Sequence, residues 1–420
     1  MKKVYIYALA YALTAVSCQD NEWGADSATP QAPEIEIPMG AADGELLIKF
    51  VPEMSDILDQ TLTRVGGVAT RSGIPSTDEV LNILGAYHFE RVFPVDPKTE
   101  KRTREAGMHL WYIVRFDKDA DLKEAARQLR KLGEISKIQS NPTLQRAYDP
   151  KKKTLYLSAS DLQHVTRTSE GLTFNDPGLK HQWHYRNAGN YDFVKKDRAE
   201  AIAGADVNCG EAWELCKGDP SIIVAVLDEG VMWSHPDLIA NMWTNEAEEI
   251  GSTEDKDGNG YKGDRYGYNF VKNTGVISWT SADDTGHGTH VAGTIAAENG
   301  NSIGVSGIAG GDGNTGSGVK IMTCQLFDGQ YGATLAAEAK AIKYAADNGA
   351  VVLQCSWGYN SPDANEALGY VPGPKNEQDW ENQYPLEKEA LDYFIHNAGS
   401  PNGVIDGGLA IFASGNAVSY

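Results

Sequence analysis

The chain has 420 residues, 41% hydrophobic and 23% charged, with a formal net charge of -21 at pH 7. That length and balance exclude a disordered chain and allow two or three domains with a sizeable core. The acidic excess argues against a nucleic-acid or anionic-membrane partner for the body of the protein.

Residues 1–18 open on Lys2 and Lys3 and continue as "VYIYALAYALTAV", an apolar run too short to span a bilayer. Ala15 and Ser17 then precede Cys18. This pattern predicts an export signal. Its end resembles a bacterial lipoprotein box, which makes Cys18 the expected lipidation site and a lipid anchor the expected membrane attachment. Val16 before Ser17, and the lack of a leucine three before the cysteine, depart from that box. An ordinary secretory signal is the alternative. Residues 19–43 are acidic and rich in Pro, Ala and Ser, as in a flexible tether. Asp20 and Glu22 are compatible with display at the outer membrane or cell surface. Otherwise the protein is expected in the periplasm or secreted.

Residues 44–148 read as a small α+β domain. "ELLIKFV", "AYHFERVFPV", "LWYIVRFD" and "EISKIQSNPTLQRAY" are strand-like, and "SDILDQTL" is a short helix. In "DLKEAARQLRKLG", Leu122, Ala125, Leu129 and Leu132 share one helical face, with Asp121 to start it and Gly133 to end it. The order strand–helix–strand–strand–helix–strand predicts a ferredoxin-like fold. Residues 149–173, with Lys151, Lys152 and Lys153, read as an exposed connector or processing region.

Residues 174–420 have a different texture. "SIIVAVLD", "VKIMTCQLF", "AVVLQCSWG" and "GLAIFASGN" are apolar runs of the kind buried in parallel sheets. Helical segments alternate with them, including "ATLAAEAKAIKYAADNG" and "PLEKEALDYFIHNAG". The predicted class is therefore α/β, a doubly wound parallel sheet. Cys324 and Cys355 lie in strand runs and are expected as buried thiols. Whether Cys209 and Cys216 pair is left open.

Such sheets gather ligands and catalysts at the C-terminal ends of their strands. Asp228 ends "SIIVAVLD", Asn416 follows "GLAIFASG", and His287 starts the helix of "HGTHVAGTIAAENG" between two glycines. An aspartate, a histidine and an asparagine so placed suit acyl transfer. The aspartate orients the imidazole, the histidine moves the proton, and the amide stabilises an oxyanion. His290 is weighed as a metal partner of His287, but a packing role is preferred because no acidic third ligand stands at helical spacing. His235 reads as a turn residue, Asp237 as a cap and Ser356 as a strand-end residue rather than a nucleophile. Asp255, Asp257 and Asn259, followed by Gly260, match the front half of a calcium loop, with Asp264 placed to close it. Tyr266 stands where an EF-hand has its glutamate.

"IIVAVLDEGVMWSHPDL", "HGTHVAGTIAA", "FASGN" and "CSWG" together resemble the subtilisin-like serine peptidases, the subtilases, over roughly residues 174–420. The resemblance implies a catalytic aspartate at Asp228, a catalytic histidine at His287 and an oxyanion donor at Asn416. Ser356, Trp357 and Gly358 would line the substrate cleft, and calcium would bind near residues 255–264. It also implies a peptide or protein substrate and makes residues 44–148 the counterpart of a ferredoxin-like prodomain that covers the cleft.

The family's nucleophile sits in a Gly-Thr-Ser-x-Ala/Met motif, which these 420 residues do not contain; Ser419 lacks that lead. The expectation is a C-terminally incomplete sequence of a serine endopeptidase whose triad serine lies outside it. A non-catalytic surface lipoprotein that binds peptides in a subtilase-like cleft, or a separate polypeptide that supplies the missing part, are the alternatives.

Overall fold

The computed structural model describes residues 35–414 except 36, 39, 66–67, 70, 87, 147–173, 190–201, 364–371 and 401–404. The expected signal, Cys18, most of the tether, Lys151 to Lys153 and Asn416 lie outside the described residues. From Ile35 onward the chain forms one compact unit. No helix among the described residues is long and apolar enough to cross a membrane.

The N-terminal part is a five-stranded antiparallel sheet backed by helices. Along the chain come β1 (Ala41–Phe50), α1 (Ser55–Val65), β2 (Val68–Ala69), α2 (Pro75–Ile83) and β3 (His88–Arg91). They are followed by α3 (Glu100–Glu105), β4 (Trp111–Arg115), α4 (Leu122–Leu129) and β5 (Ile135–Pro142). The strand order is β2-β3-β4-β1-β5, so β1 lies between the two strands that follow α3. Without the short edge strand β2, this is the order of a split βαβ fold. Helix α4 forms because Leu122, Ala125, Ala126 and Leu129 make one buried face and the Asp121 carboxylate accepts the Lys123 and Glu124 amides. It ends at Leu129, before Gly133, because the chain turns there toward β5. Helices α2 and α3 go beyond the strand–helix order expected from sequence.

The second sheet has the order β11-β10-β6-β8-β7, all parallel, with β9 antiparallel on β8. Its strands are β6 (Ile223–Glu229), β7 (Gly267–Asn269), β8 (Lys320–Asp328), β9 (Tyr331–Gly332), β10 (Ala350–Cys355) and β11 (Leu409–Phe412). Every residue of β6 is buried, as its β-branched run requires. Around the sheet lie α5 (Cys209–Leu215), α6 (His287–Ala296), α7 (Leu335–Asp347), α8 (Glu377–Gln383) and α9 (Pro385–Asn397). This is the expected α/β arrangement of parallel strands and helices. Cys324 and Cys355 are buried thiols in β8 and β10, where burial pushes both up; Cys209 and Cys216 are free thiols.

The two sheets share a core. One face of the antiparallel sheet, with Leu47, Trp111 and Ile113, packs into the cluster formed by α7, α9 and the parallel strands. Two polar side chains on the same face of β5 fix this contact. Asn141 Oδ1 accepts the Ala336 amide at the start of α7 (3.0 Å), and Gln139 Oε1 accepts the Leu386 amide at the start of α9 (2.9 Å). Helix starts leave amides without intrahelical partners, and here a neighbouring strand supplies them. Glu389 adds a charged contact, with Lys49 Nζ at 2.8 Å, Trp111 Nε1 at 2.8 Å and Lys137 Nζ at 2.9 Å.

Candidate active site

Asp228 is fully buried near the end of β6, and His287 is the first residue of α6. His287 Nδ1 lies 2.9 Å from Asp228 Oδ1 and 3.0 Å from Oδ2. An ionised carboxylate accepts only, so Nδ1 carries the hydrogen and Nε2 is the basic nitrogen. Burial opposes a charge on His287, but the hydrogen bond and the negative charges of Asp228 and Glu229 outweigh it and hold the imidazole above its usual 6.5.

The residues around His287 set this geometry. A Cβ on Gly288 would lie 2.2 Å from the Glu229 carbonyl oxygen, so only glycine lets the helix start this close to β6. Thr289 Oγ1 accepts the Met232 amide at 2.9 Å and ties the helix to the loop after β6. Glu229, also buried, accepts the amides of Thr285 (3.0 Å) and His287 (3.1 Å) at the positive end of α6. His290, three residues beyond His287, is exposed and does not pack in the core. Asp237 is no helix cap. Its buried carboxylate holds a loop through Asn301 Nδ2 (2.8 Å) and the Val305 amide (2.9 Å). His235 Nδ1 accepts the Asp237 amide, a turn contact.

Beside this pair, Ser356 and Trp357 follow β10 and are buried, and Gly358 is exposed. Trp357 meets Phe412 of β11 edge to face at 5.1 Å. The chain after β5 runs through this region as an extended strand. Thr143 pairs with Thr334 and Arg146 with Trp357, both antiparallel, and the Leu144 amide donates to the Ala333 carbonyl at 2.9 Å. A Cβ on Gly332 would come within 2.4 Å of the Leu144 carbonyl oxygen, so this groove is shaped for a passing backbone. Sequence reading placed Leu144 and Arg146 in a last strand of the small domain. In the structure, β5 ends at Pro142 and the following residues add to the edges of the larger domain.

The acidic loop is organised around a residue the sequence reading missed. Glu248 is buried and accepts the amides of Lys256, Asp257 and Gly263. One carboxylate oxygen each from Glu248, Asp255 and Asp257 lies within 4.8 Å of the others. Asn259 and Asp264 take another role. Asp264 accepts from Tyr344 (2.8 Å), Asn259 (3.0 Å) and Asn245 (3.0 Å), and burial lifts its carboxyl to about 6. Glu248 precedes the repeating Asp-x-Asp-x-Asn pattern, so spacing alone does not reveal it.

The subtilase family model (Peptidase_S8) matches residues 219–419. Subtilisin-like protease 1 of Plasmodium vivax is 31% identical over 196 residues, covering 46% of this chain and 27% of that protein. PC3-like endoprotease variant B of Hydra vulgaris is 30% identical over 323 residues, covering 77% of this chain and 33% of that protein. Fervidolysin from Fervidobacterium pennivorans, a solved structure, aligns over 91% of this chain and 41% of its own, with TM-score 0.48 and 18% identity. The chain thus spans about a third of the length of such curated relatives or less. With the buried aspartate, the helix-start histidine and the parallel sheet in place, residues 219–419 are the part of the chain that carries the subtilase-family domain.

Proposed function

We propose that the protein is an exported serine-type endopeptidase that hydrolyses peptide bonds with Asp228 and His287 as two members of a triad. The 2.9 Å contact from His287 Nδ1 to the buried Asp228 carries this reading. Asp228 fixes the tautomer and stabilises the imidazolium, while Nε2 takes a proton from a serine hydroxyl and returns it to the leaving amine. Asn416 donates to the oxyanion, and Ser356, Trp357 and Gly358 line the cleft for a peptide strand. The serine of this mechanism belongs to a Gly-Thr-Ser motif that residues 1–420 do not form.

Residues 44–148 act as a prodomain in this reading, and the strand at Thr143 to Arg146 supports it by lying where substrate would bind. The peptidase domain runs from 174 and the connector from 149 to 173. Glu248, Asp255 and Asp257 hold a structural calcium, as three hard oxygen donors suit. Cys18 carries lipid at the outer membrane or cell surface.

The test is hydrolysis of a fluorogenic peptide by the protein purified from its native source, with its Asp228→Asn and His287→Ala variants. Each substitution is expected to lower kcat by about 10⁴. Chelation with EGTA should lower the melting temperature of the parent but not of Glu248→Gln, and Cys18→Ser should release the protein from membranes. No hydrolysis by the native protein, or hydrolysis indifferent to His287→Ala, replaces the peptidase with a peptide-binding surface protein.

A further inference from the structure

We propose that Glu338 and Glu387 form a proton-operated latch beneath β5. While a proton lies between the two carboxyls, the starts of α7 and α9 stay closed and hold the N-terminal sheet; loss of that proton parts them and loosens β5. The inference concerns the docking of the N-terminal sheet and does not require that the protein hydrolyse peptides.

Two helix starts face one strand here. Glu338 lies in the first turn of α7 and Glu387 in the first turn of α9. The same two turns supply the amides that bind β5, Ala336 to Asn141 Oδ1 at 3.0 Å and Leu386 to Gln139 Oε1 at 2.9 Å. Gln139 and Asn141 alternate onto one face of the strand, so β5 spans both helices. Both acids are buried, and their carboxyls lie within hydrogen-bonding reach of each other.

The groups that face the pair carry no positive charge. Glu387 accepts Trp380 Nε1 of α8 at 2.8 Å and the Tyr359 hydroxyl. Tyr384, just before α9, stacks on Tyr359, and the buried Cys355 thiol of β10 lies beside both acids. From β5 come the neutral amides of Gln139 and Asn141. Among the described residues, no lysine or arginine pairs with Glu338 or Glu387. Glu389 of α9 shows the contrast, because Lys49 Nζ (2.8 Å), Trp111 Nε1 (2.8 Å) and Lys137 Nζ (2.9 Å) meet it from the N-terminal sheet. A charge at Glu389 is matched across the interface; a charge on the pair is not.

An unmatched carboxylate in a dry site is costly, and a shared proton removes one of two adjacent charges. Burial lifts Glu387 to about 7 and Glu338 well above its usual range, so the pair gives up a proton as pH rises through about 7. The negative charge left behind is relieved by water, which enters where the helix starts separate. Separation draws the Ala336 and Leu386 amides away from their acceptors on β5. The acid form therefore grips the N-terminal sheet and the basic form holds it loosely.

Hydrogen exchange in the full chain tests this. Amides in a first helical turn have no intrahelical acceptor, so the protection of Ala336 and Leu386 reports their contact with β5. Exchange is measured at pH 5 and pH 8 and divided by the intrinsic rate at each pH. In the parent, protection of both amides should fall by about tenfold or more between the two pH values, and by more than that of the β6 amides, which report opening of the larger domain. In Glu338→Gln an amide N–H takes the place of the shared proton, and the fall should be less than about twofold. Glu387→Gln keeps a hydrogen bond between the two positions in the same way, should behave alike, and serves if the first variant folds poorly. His88, 2.9 Å from Glu90 on β3, is unchanged in both variants, so comparing parent with variant isolates the pair. An equal fall at Ala336, Leu386 and β6 overturns the latch, since opening is then global. A fall that persists undiminished in both variants overturns it by assigning the proton elsewhere. A response confined to the Trp357 and Tyr359 amides overturns it as well, because water then reaches the acids from the segment after β10 and β5 stays docked.

Discussion

A methyl group at residue 288 would collide with the Glu229 carbonyl oxygen at 2.2 Å, and that oxygen belongs to backbone rather than to a flexible side chain. Gly288→Ala should therefore push the start of α6 away from β6. A fractional shift there spoils the alignment of His287 with Asp228, and activity should fall by about 100-fold or more. Stability should fall by about 1–3 kcal/mol, as for other overpacked positions. Assay and thermal melt together check this; a wild-type kcat in Gly288→Ala would show that the helix start tolerates displacement. The pH profile gives a second check at the same residue. Because Asp228 and Glu229 outweigh burial and raise the His287 pKa, the neutral base becomes the major form only at a pH above 6.5. The limb of kcat/KM should rise with pH through a midpoint above 6.5 and move downward in Asp228→Asn. For stability the sign is opposite. The contribution of charged His287 is complete below 6.5 and is lost as pH rises through the raised value. Asp228 and His287 were legible in sequence because a strand-end acid and a glycine-flanked helix-start histidine lie in short local patterns. The ion pair of Arg146 with Glu229 was not, since it depends on a strand returning from another sheet.

Among the elements, β5 does more than close the small sheet. Its alternation puts Gln139 and Asn141 on one face, and each amide oxygen meets the first turn of a different helix. Replacing either with alanine strands a buried backbone amide at a helix start. Each change should cost about 1 kcal/mol, and the two should nearly add because they act on separate helices. Denaturant unfolding measures this; no loss in either variant would mean that water replaces the strand at the helix ends. The sequence shows the length and apolar face of α7 and α9, and the continuous runs of β6, β8 and β10. It cannot show β7, three residues whose strand form depends on pairing with β8, or the exact end of α4. Short elements carry too few residues for a period to emerge. Side-chain caps supplied from another sheet leave no local trace at all.

For the molecule as a whole, the packing of α7 on α9 encloses a pair of acids that makes stability depend on pH. Glu338 of α7 is fully buried, and neither of its oxygens accepts a hydrogen bond from another of the described residues. Glu387 of α9 faces it, holding Trp380 Nε1 at 2.8 Å and the Tyr359 hydroxyl. Burial pushes Glu338 well above its usual range, and Glu387 rises to about 7. Two such carboxyls are compatible at close range when a proton lies between them, as like charges in a dry site repel. The raised values mean that the folded state binds protons more tightly than the unfolded one. This contribution is therefore greatest below about pH 4.5 and is lost as pH rises from there through about 7. Glu338→Gln supplies a permanent N–H donor to Glu387 without changing shape. It should flatten the decline and raise the melting temperature at pH 8 relative to the parent, with little difference at pH 5. Because Tyr359 directly follows Ser356, Trp357 and Gly358 in the chain, proton loss from this pair should also loosen the segment after β10. Hydrogen exchange of the Trp357 and Tyr359 amides at the two pH values reads that effect, faster at pH 8 in the parent and equalised in Glu338→Gln. Equal melting curves for parent and variant across this range would show that the pair is solvated in the folded protein and that the pH dependence originates elsewhere.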